Sequence, residues 1–181
     1  MRARTWKGQT RACLLLIVSV LVPASARSQQ ARPEEKTKSA AVFEQLSALV
    51  GEWAGDQGGV PVTVTYTLTG DGSALMEYVT PEASPAGAMI TMFTVDGDHL
   101  IATHYCAAGN QPQMVTGVPG TLERGVTFSL VRVTGMKTPA DYHNTGLTFV
   151  QNDSDHVTQR WTYLYKGKTG TNVFHYARKG R

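Results

Sequence analysis

The segment THYCAAGNQPQM, residues 103–114, carries the side chains with the widest range of possible chemistry. His104 and Cys106 stand two positions apart, and Asn110 and Gln111 follow at a turn that contains glycine and proline. Residues at i and i+2 of a strand share one face, so the imidazole and the thiol would lie side by side. Together these groups could ligate a metal, form a nucleophile with its base, or hydrogen-bond a ligand.

A metal site or a cysteine nucleophile needs more than this segment supplies. A tetrahedral zinc site requires three or four ligands, and nothing in the sequence places His143 or His175 beside His104 and Cys106. A cysteine nucleophile requires a base in hydrogen-bond reach and an oxyanion donor, whereas side chains two apart on a strand run alongside one another. The sequence therefore predicts neither a metal centre nor catalytic residues, and it favours a protein that is not an enzyme.

Ligand binding is the remaining interpretation of the segment. We expect His104 and Cys106 to face the interior of the fold, because a thiol is a common buried group, and Tyr105 to point outward. Asn110 and Gln111 would then offer amide groups to a ligand at the edge of the fold. The alternative is that these two amides hydrogen-bond the backbone of their own loop.

The rest of the chain alternates with a period of two and predicts antiparallel strands. Residues 60–69 alternate valine, tyrosine and leucine with threonine, and glycine-containing turns follow at 70–73 and 96–98. Before them, an apolar pattern at helical spacing predicts one short helix that is capped by Ser39 and ended by Gly51. The further candidate strands are residues 74–80, 88–95, 99–106, 114–118, 126–134, 146–151, 156–165 and 171–178.

These elements predict an all-β fold. About eight to ten strands in meander order, preceded by one short helix, would close into an up-and-down antiparallel barrel and leave no exposed edge. A two-sheet sandwich is the alternative, since regular short strands fit both folds.

Trp53, at the start of the first strand, is predicted to be a structural residue. In a barrel with an even number of antiparallel strands the first and last strands pair, so Arg178 should approach Trp53, with Arg160 as a substitute. A guanidinium over the indole would close the barrel end through cation–π attraction worth about 0.5–2 kcal/mol.

The N-terminus has the order of a secretory signal peptide. Residues 1–26 place basic residues before a short apolar run and small residues after it, and residues 27–38 resemble a polar tether before a domain at 39–181. Four of the 17 basic residues fall in that leader, which leaves 13 against 14 acidic ones. We expect a near-neutral, exported protein, periplasmic or secreted, without the basic surface that nucleic-acid binding requires and without stable membrane insertion. Cys106 would be its single cysteine.

The segment LVGEWAGDQGG before the first long strand resembles the entrance of lipocalin-like (calycin) barrels. Gly51, Trp53 and Gly55 match the opening motif of nitrobindin-type haem-binding barrels, although Gln57 stands where those proteins usually have another glycine. That resemblance implies a haem cofactor held by His175, the one histidine in a comparable position near the C-terminus.

The THYCAAGNQP segment is also similar to one in uncharacterised exported bacterial proteins with a lipocalin-like domain, a resemblance that implies a fold but no activity. We therefore expect an exported barrel that holds a small apolar or amphipathic molecule in its interior. Two alternatives stay open, a haem protein that uses His175 and an envelope interaction protein with a fully packed barrel.

Overall fold

The computed structural model describes residues 36–180. The predicted leader and most of the predicted tether lie outside this range, and within it no helix has the length and hydropathy needed to cross a bilayer. The elements are α1 (Lys38–Ser47), β1 (Gly51–Gln57), β2 (Val60–Thr69), β3 (Ala74–Pro81), β4 (Met89–Asp96), β5 (His99–Tyr105), β6 (Gln111–Thr116), β7 (Val126–Thr134), β8 (His143–Gln151), β9 (His156–Tyr165) and β10 (Lys168–Arg178).

The ten strands form one closed antiparallel barrel. Each strand pairs with its neighbours in sequence, and β1 pairs with β10 to complete the circle. The connections between them have two to nine residues, and glycines with positive φ at positions such as Gly72 and Gly97 allow the chain to reverse there. The predicted all-β up-and-down barrel with one N-terminal helix is confirmed, and the sandwich alternative is excluded.

Helix α1 begins two residues earlier than predicted. Thr37 is the N-cap, and its hydroxyl accepts a hydrogen bond from the Ala40 amide at 3.2 Å. Ser39 lies inside the helix instead and donates to the Gly97 carbonyl at 2.6 Å, so it ties α1 to the turn between β4 and β5. The helix also ends at Ser47, before the predicted Gly51.

The inner face of α1 closes one end of the barrel. Val42 and Leu46 are buried in the common core, and the side chain of Gln45 accepts a hydrogen bond from the Leu122 amide at 3.0 Å. β1 starts directly beyond the helix, so this end of the barrel is the one where the odd-numbered strands begin.

The predicted pairing of Trp53 with Arg178 is confirmed. The two residues face each other across β1 and β10, and the guanidinium carbon lies 4.3 Å from the centroid of the buried indole. Arg178 also donates to the carbonyls of Val50 and Ala48, each at 3.1 Å, while the indole Nε1 donates to the Leu49 carbonyl at 2.9 Å. The pair therefore fixes the chain segment that leads from α1 into β1.

The second glycine of the entrance motif is required by close packing. A Cβ on Gly55 would clash with the ring of Tyr176 and would lie 2.6 Å from the carbonyl oxygen of His175. We expect Gly55→Ala to lower the free energy of unfolding by about 1–3 kcal/mol, as overpacking usually does. Chemical denaturation would measure it, with Gly117→Ala as control because a Cβ there meets nothing within 4 Å. Equal stability of the two variants would contradict this account.

Candidate ligand-binding cavity

A cavity of about 290 Å³ lies in the barrel interior at the end opposite α1. β1 begins beside the helix and ends at Gln57, which lines the cavity together with Gly58 of the following turn. One side of the cavity is apolar and is formed by Val79, Met89 and Phe174. This volume is at the lower limit of the roughly 300–1,000 Å³ of small-molecule pockets.

The floor of the cavity is a buried polar network with a fixed hydrogen-bond order. The Trp161 indole can only donate, and it donates to Oε1 of Gln159 at 2.8 Å. Nε2 of Gln159 must therefore point the other way, where it donates to the Tyr66 hydroxyl at 3.0 Å and to Oε2 of Glu77. Tyr66 then donates to the same Oε2 at 2.6 Å.

Glu77 is fully enclosed at the bottom of this network. Burial raises the pKa of its carboxyl, and its hydrogen bonds with Tyr66, Gln159 and Thr91 oppose that rise only in part. No Lys, Arg or His makes an ion pair with Glu77 among residues 36–180. A buried carboxyl without a cationic partner favours its neutral, protonated form.

His104 lies next to Glu77 on the cavity wall. Glu77, Thr91 and His104 face one another in register across β3, β4 and β5, and the Thr91 hydroxyl hydrogen-bonds Nδ1 of His104 at 3.0 Å. The imidazole also packs against Trp161, with ring centroids 4.8 Å apart. Burial lowers the pKa of His104 to about 4, so the ring is neutral at physiological pH.

Asn144 supplies a further buried amide to the cavity. It sits at a register shift of β8 against β9, and its Oδ1 accepts a hydrogen bond from the Tyr142 hydroxyl at 3.1 Å. Burial raises the pKa of Tyr142 to about 12, so the phenol keeps its proton. Both residues line the cavity.

Four residues of the segment 103–114 were predicted to bind a ligand, and of these the structure places His104 in the lining of the cavity. Cys106 follows the end of β5, and its sulfur accepts from the Ala108 amide at 3.5 Å. Burial raises the pKa of this thiol, so it stays a thiol. Cys106 is not among the residues that line the cavity.

Asn110 and Gln111 hydrogen-bond the surrounding loops. Gln111 donates to the Gly109 carbonyl at 3.2 Å and accepts from the Thr134 hydroxyl at 2.9 Å. Asn110 donates to the Tyr142 carbonyl at 2.6 Å, while its buried Oδ1 has no partner among the described residues. Asn110 therefore acts on the cavity indirectly, because it positions Tyr142.

His175 lies on the outer face of β10. Its ring is exposed and hydrogen-bonds the Thr158 hydroxyl at 3.0 Å, while the next residue, Tyr176, points into the core. A haem iron bound by His175 would therefore lie outside the cavity. Over residues 36–180, no three His, Cys, Asp or Glu side chains group as a metal ion would require.

Sequence reasoning missed Glu77, Gln159 and Asn144. The first two carried a readable signal, because each interrupts an apolar inward face: Glu77 stands between Leu75 and Val79, and Gln159 two residues before Trp161. A lone polar residue on such a face indicates either a satisfied network or a site.

The closed ten-stranded antiparallel barrel with a helix at one end is compatible with the lipocalin-like (calycin) class of fold. Neither a protein-family model nor a curated protein matches the sequence.

Proposed function

We propose that this protein is an exported barrel that binds one small amphipathic molecule in its interior cavity. The observation that carries the proposal is the division of the cavity into an apolar wall and a polar floor. Buried polar side chains cost free energy unless they are paired, and His104 and Asn144 each turn a polar group without a protein partner towards the cavity. The polar floor would orient the ligand, and Val79, Met89 and Phe174 would bury its apolar part.

A bulky residue inside the cavity should abolish occupancy. Asn172 lines the cavity, and its neighbour Val173 points outward on the same strand. We expect protein purified under native conditions to carry a small molecule visible by native mass spectrometry, Asn172→Trp to lose it, and Val173→Trp to retain it. A wild-type protein that carries no ligand and binds none from a metabolite extract would support the alternative of a packed interaction protein.

The haem alternative differs in the residue it requires. The nitrobindin-type resemblance at Gly51, Trp53 and Gly55 motivates it, but His175 is exposed on the barrel surface. Titration with haem separates the two ideas, because a saturable Soret shift that disappears in His175→Ala would favour a haem protein.

Export forms part of the proposal and rests on the order of charged, apolar and small residues in positions 1–26 and on the likeness to exported bacterial proteins. Expressed in a bacterium with this leader, the protein should be recovered outside the cytoplasm. Its new N-terminus, read by mass spectrometry, should fall between Arg27 and Gln30. Soluble cytoplasmic protein with an intact leader would contradict this expectation.

A further inference from the structure

Two buried side chains present polar atoms to the cavity without a protein partner. His104 and Asn144 are each 5% exposed and both line the cavity. His104 uses Nδ1 for Thr91, and Asn144 uses Oδ1 for Tyr142, so Nε2 of the ring and Nδ2 of the amide make no hydrogen bond to any residue from 36 to 180. Among the described residues, the side-chain polar atom that is both fully buried and unpaired is Oδ1 of Asn110, so Nε2 and Nδ2 reach open space. A ligand in the cavity that hydrogen-bonded them would gain affinity.

The position of the hydrogen on the His104 ring depends on Glu77 and Thr91, which lie beside it in register on β3 and β4. Oε2 of Glu77 already accepts from Tyr66 and Gln159, so in the neutral carboxyl the proton belongs on Oε1. Thr91 is the neighbour that interacts with this carboxyl and faces it in register. If Thr91 accepts the Glu77 proton, its own hydroxyl hydrogen is directed to Nδ1 of His104.

The tautomer of His104 would follow from this order. A neutral imidazole carries one N–H, so an Nδ1 that accepts from Thr91 would leave the hydrogen on Nε2. The cavity then presents two N–H donors, Nε2–H of His104 and the Nδ2 amide of Asn144.

The cavity offers no cationic side chain to an anionic ligand, because among the described residues that line it there is no Lys or Arg. Its single carboxyl, Glu77, has a pKa that burial raises, and this disfavours the charge that would attract a cationic ligand. An ionised ligand would give up its hydration for dipoles alone, which costs more free energy than the transfer of a neutral one.

We propose that the ligand is a neutral molecule with an apolar body and a carbonyl-type oxygen that accepts hydrogen bonds from His104 Nε2 and Asn144 Nδ2. This inference rests on the proposed function, since it requires the cavity to bind a small molecule at all. The apolar body would lie against Val79, Met89 and Phe174.

The tautomer can be tested without any ligand. In ¹⁵N NMR spectra of the uniformly labelled mature protein near pH 7, His104 should show a protonated Nε2 and an unprotonated Nδ1. Thr91→Val removes the hydroxyl and should allow the other tautomer to appear. An Nδ1–H tautomer in the unaltered protein would overturn the inference and would leave the proposed function intact.

Four probes of similar size then test the ligand class: acetophenone, ethylbenzene, benzoate and benzylamine. Titration of the ligand-free protein, followed by NMR shifts of the cavity residues, should show acetophenone binding about tenfold more tightly than ethylbenzene, as one or two added hydrogen bonds allow. The two ions should bind more weakly than acetophenone. Preferential binding of benzoate or benzylamine would overturn the inference while supporting a small-molecule site.

Variants connect the preference to the two donors. His104→Leu and Asn144→Asp should each reduce the advantage of acetophenone over ethylbenzene several-fold, while ethylbenzene affinity stays similar. His104→Gln can place an N–H near the position of Nε2 and should restore part of that advantage. An unchanged ratio in both donor variants would contradict the inference. If no probe binds and no molecule co-purifies, the proposed function fails together with the inference. If no probe binds but a molecule co-purifies, the proposed function stands, and an ionic co-purified molecule would overturn the inference.

Discussion

Trp53→Ala should lower the free energy of unfolding by about 3–5 kcal/mol, the usual cost of removing a large buried aromatic side chain. Trp53 is fully buried, meets Tyr66 edge-on with ring centroids 6.1 Å apart, and hydrogen-bonds the Leu49 carbonyl through Nε1. The substitution leaves a cavity beside α1 and an unpaired carbonyl. Urea denaturation followed by circular dichroism would measure the change, and a loss below 1 kcal/mol would contradict this role.

The cationic half of the pair can be tested with a matched control. Arg178→Ala removes the guanidinium over the indole and the donors to Val50 and Ala48, and we expect a loss of about 2–3 kcal/mol from these contacts. Arg160→Ala removes an exposed arginine on the adjacent strand β9 and should change stability by less than about 0.5 kcal/mol. If the two variants lose equal stability, the contact with Trp53 does not stabilise the barrel end.

The fold could be predicted because the barrel is built from local signals. Strands of alternating pattern joined by glycine-containing turns pair with their sequence neighbours, so no long-range information was needed to order them. Closure between β1 and β10 then follows from an even strand number, which is why the contact of Trp53 with Arg178 could be placed from sequence.

Details at element ends were predicted less well. Thr37 and Ser39 both have side chains that can cap a helix. The choice between them depends on the Gly97 carbonyl, 58 residues away in the chain, because it accepts the hydrogen bond from the Ser39 hydroxyl. The same limit applies to Cys106. The rule that residues two apart share a face holds only within a strand, and β5 ends at Tyr105.

Of the residues that line the cavity, His104 was predicted from the sequence. His104 could be assigned to the interior because it continues the inward face of Leu100 and Ala102. The partners that define its environment come from other strands, and β3 and β9 bring Glu77 and Gln159 together through pairing and barrel curvature. Side-chain hydrogen bonds between residues 82 positions apart leave no local pattern in the sequence.

The pH dependence of stability should change in His104→Gln. Burial lowers the pKa of His104 from 6.5 to about 4, so the folded state resists protonation that the unfolded chain accepts. The contribution of His104 to the free energy of unfolding is therefore complete above pH 6.5. As the pH falls towards 4, the free energy of unfolding decreases by up to about 3 kcal/mol because of this residue. Denaturation at several pH values should show a smaller acid loss in His104→Gln, whereas His175→Gln, at an exposed position, should follow the unaltered protein.

Glu77 should affect the pH dependence of the free energy of unfolding in the opposite direction from His104, and Glu77→Gln tests this. Burial raises the pKa of Glu77, so the folded state holds a proton that the unfolded chain releases above about pH 4.5. That difference favours the folded state at low pH and disfavours it progressively as the pH rises through the raised pKa. The amide cannot ionise, so Glu77→Gln should gain stability relative to the unaltered protein as the pH increases above about 4.5. A constant difference between the two proteins across that range would mean that Glu77 is ionised in the folded state, and the order of protons from Glu77 through Thr91 to His104 would then be reversed.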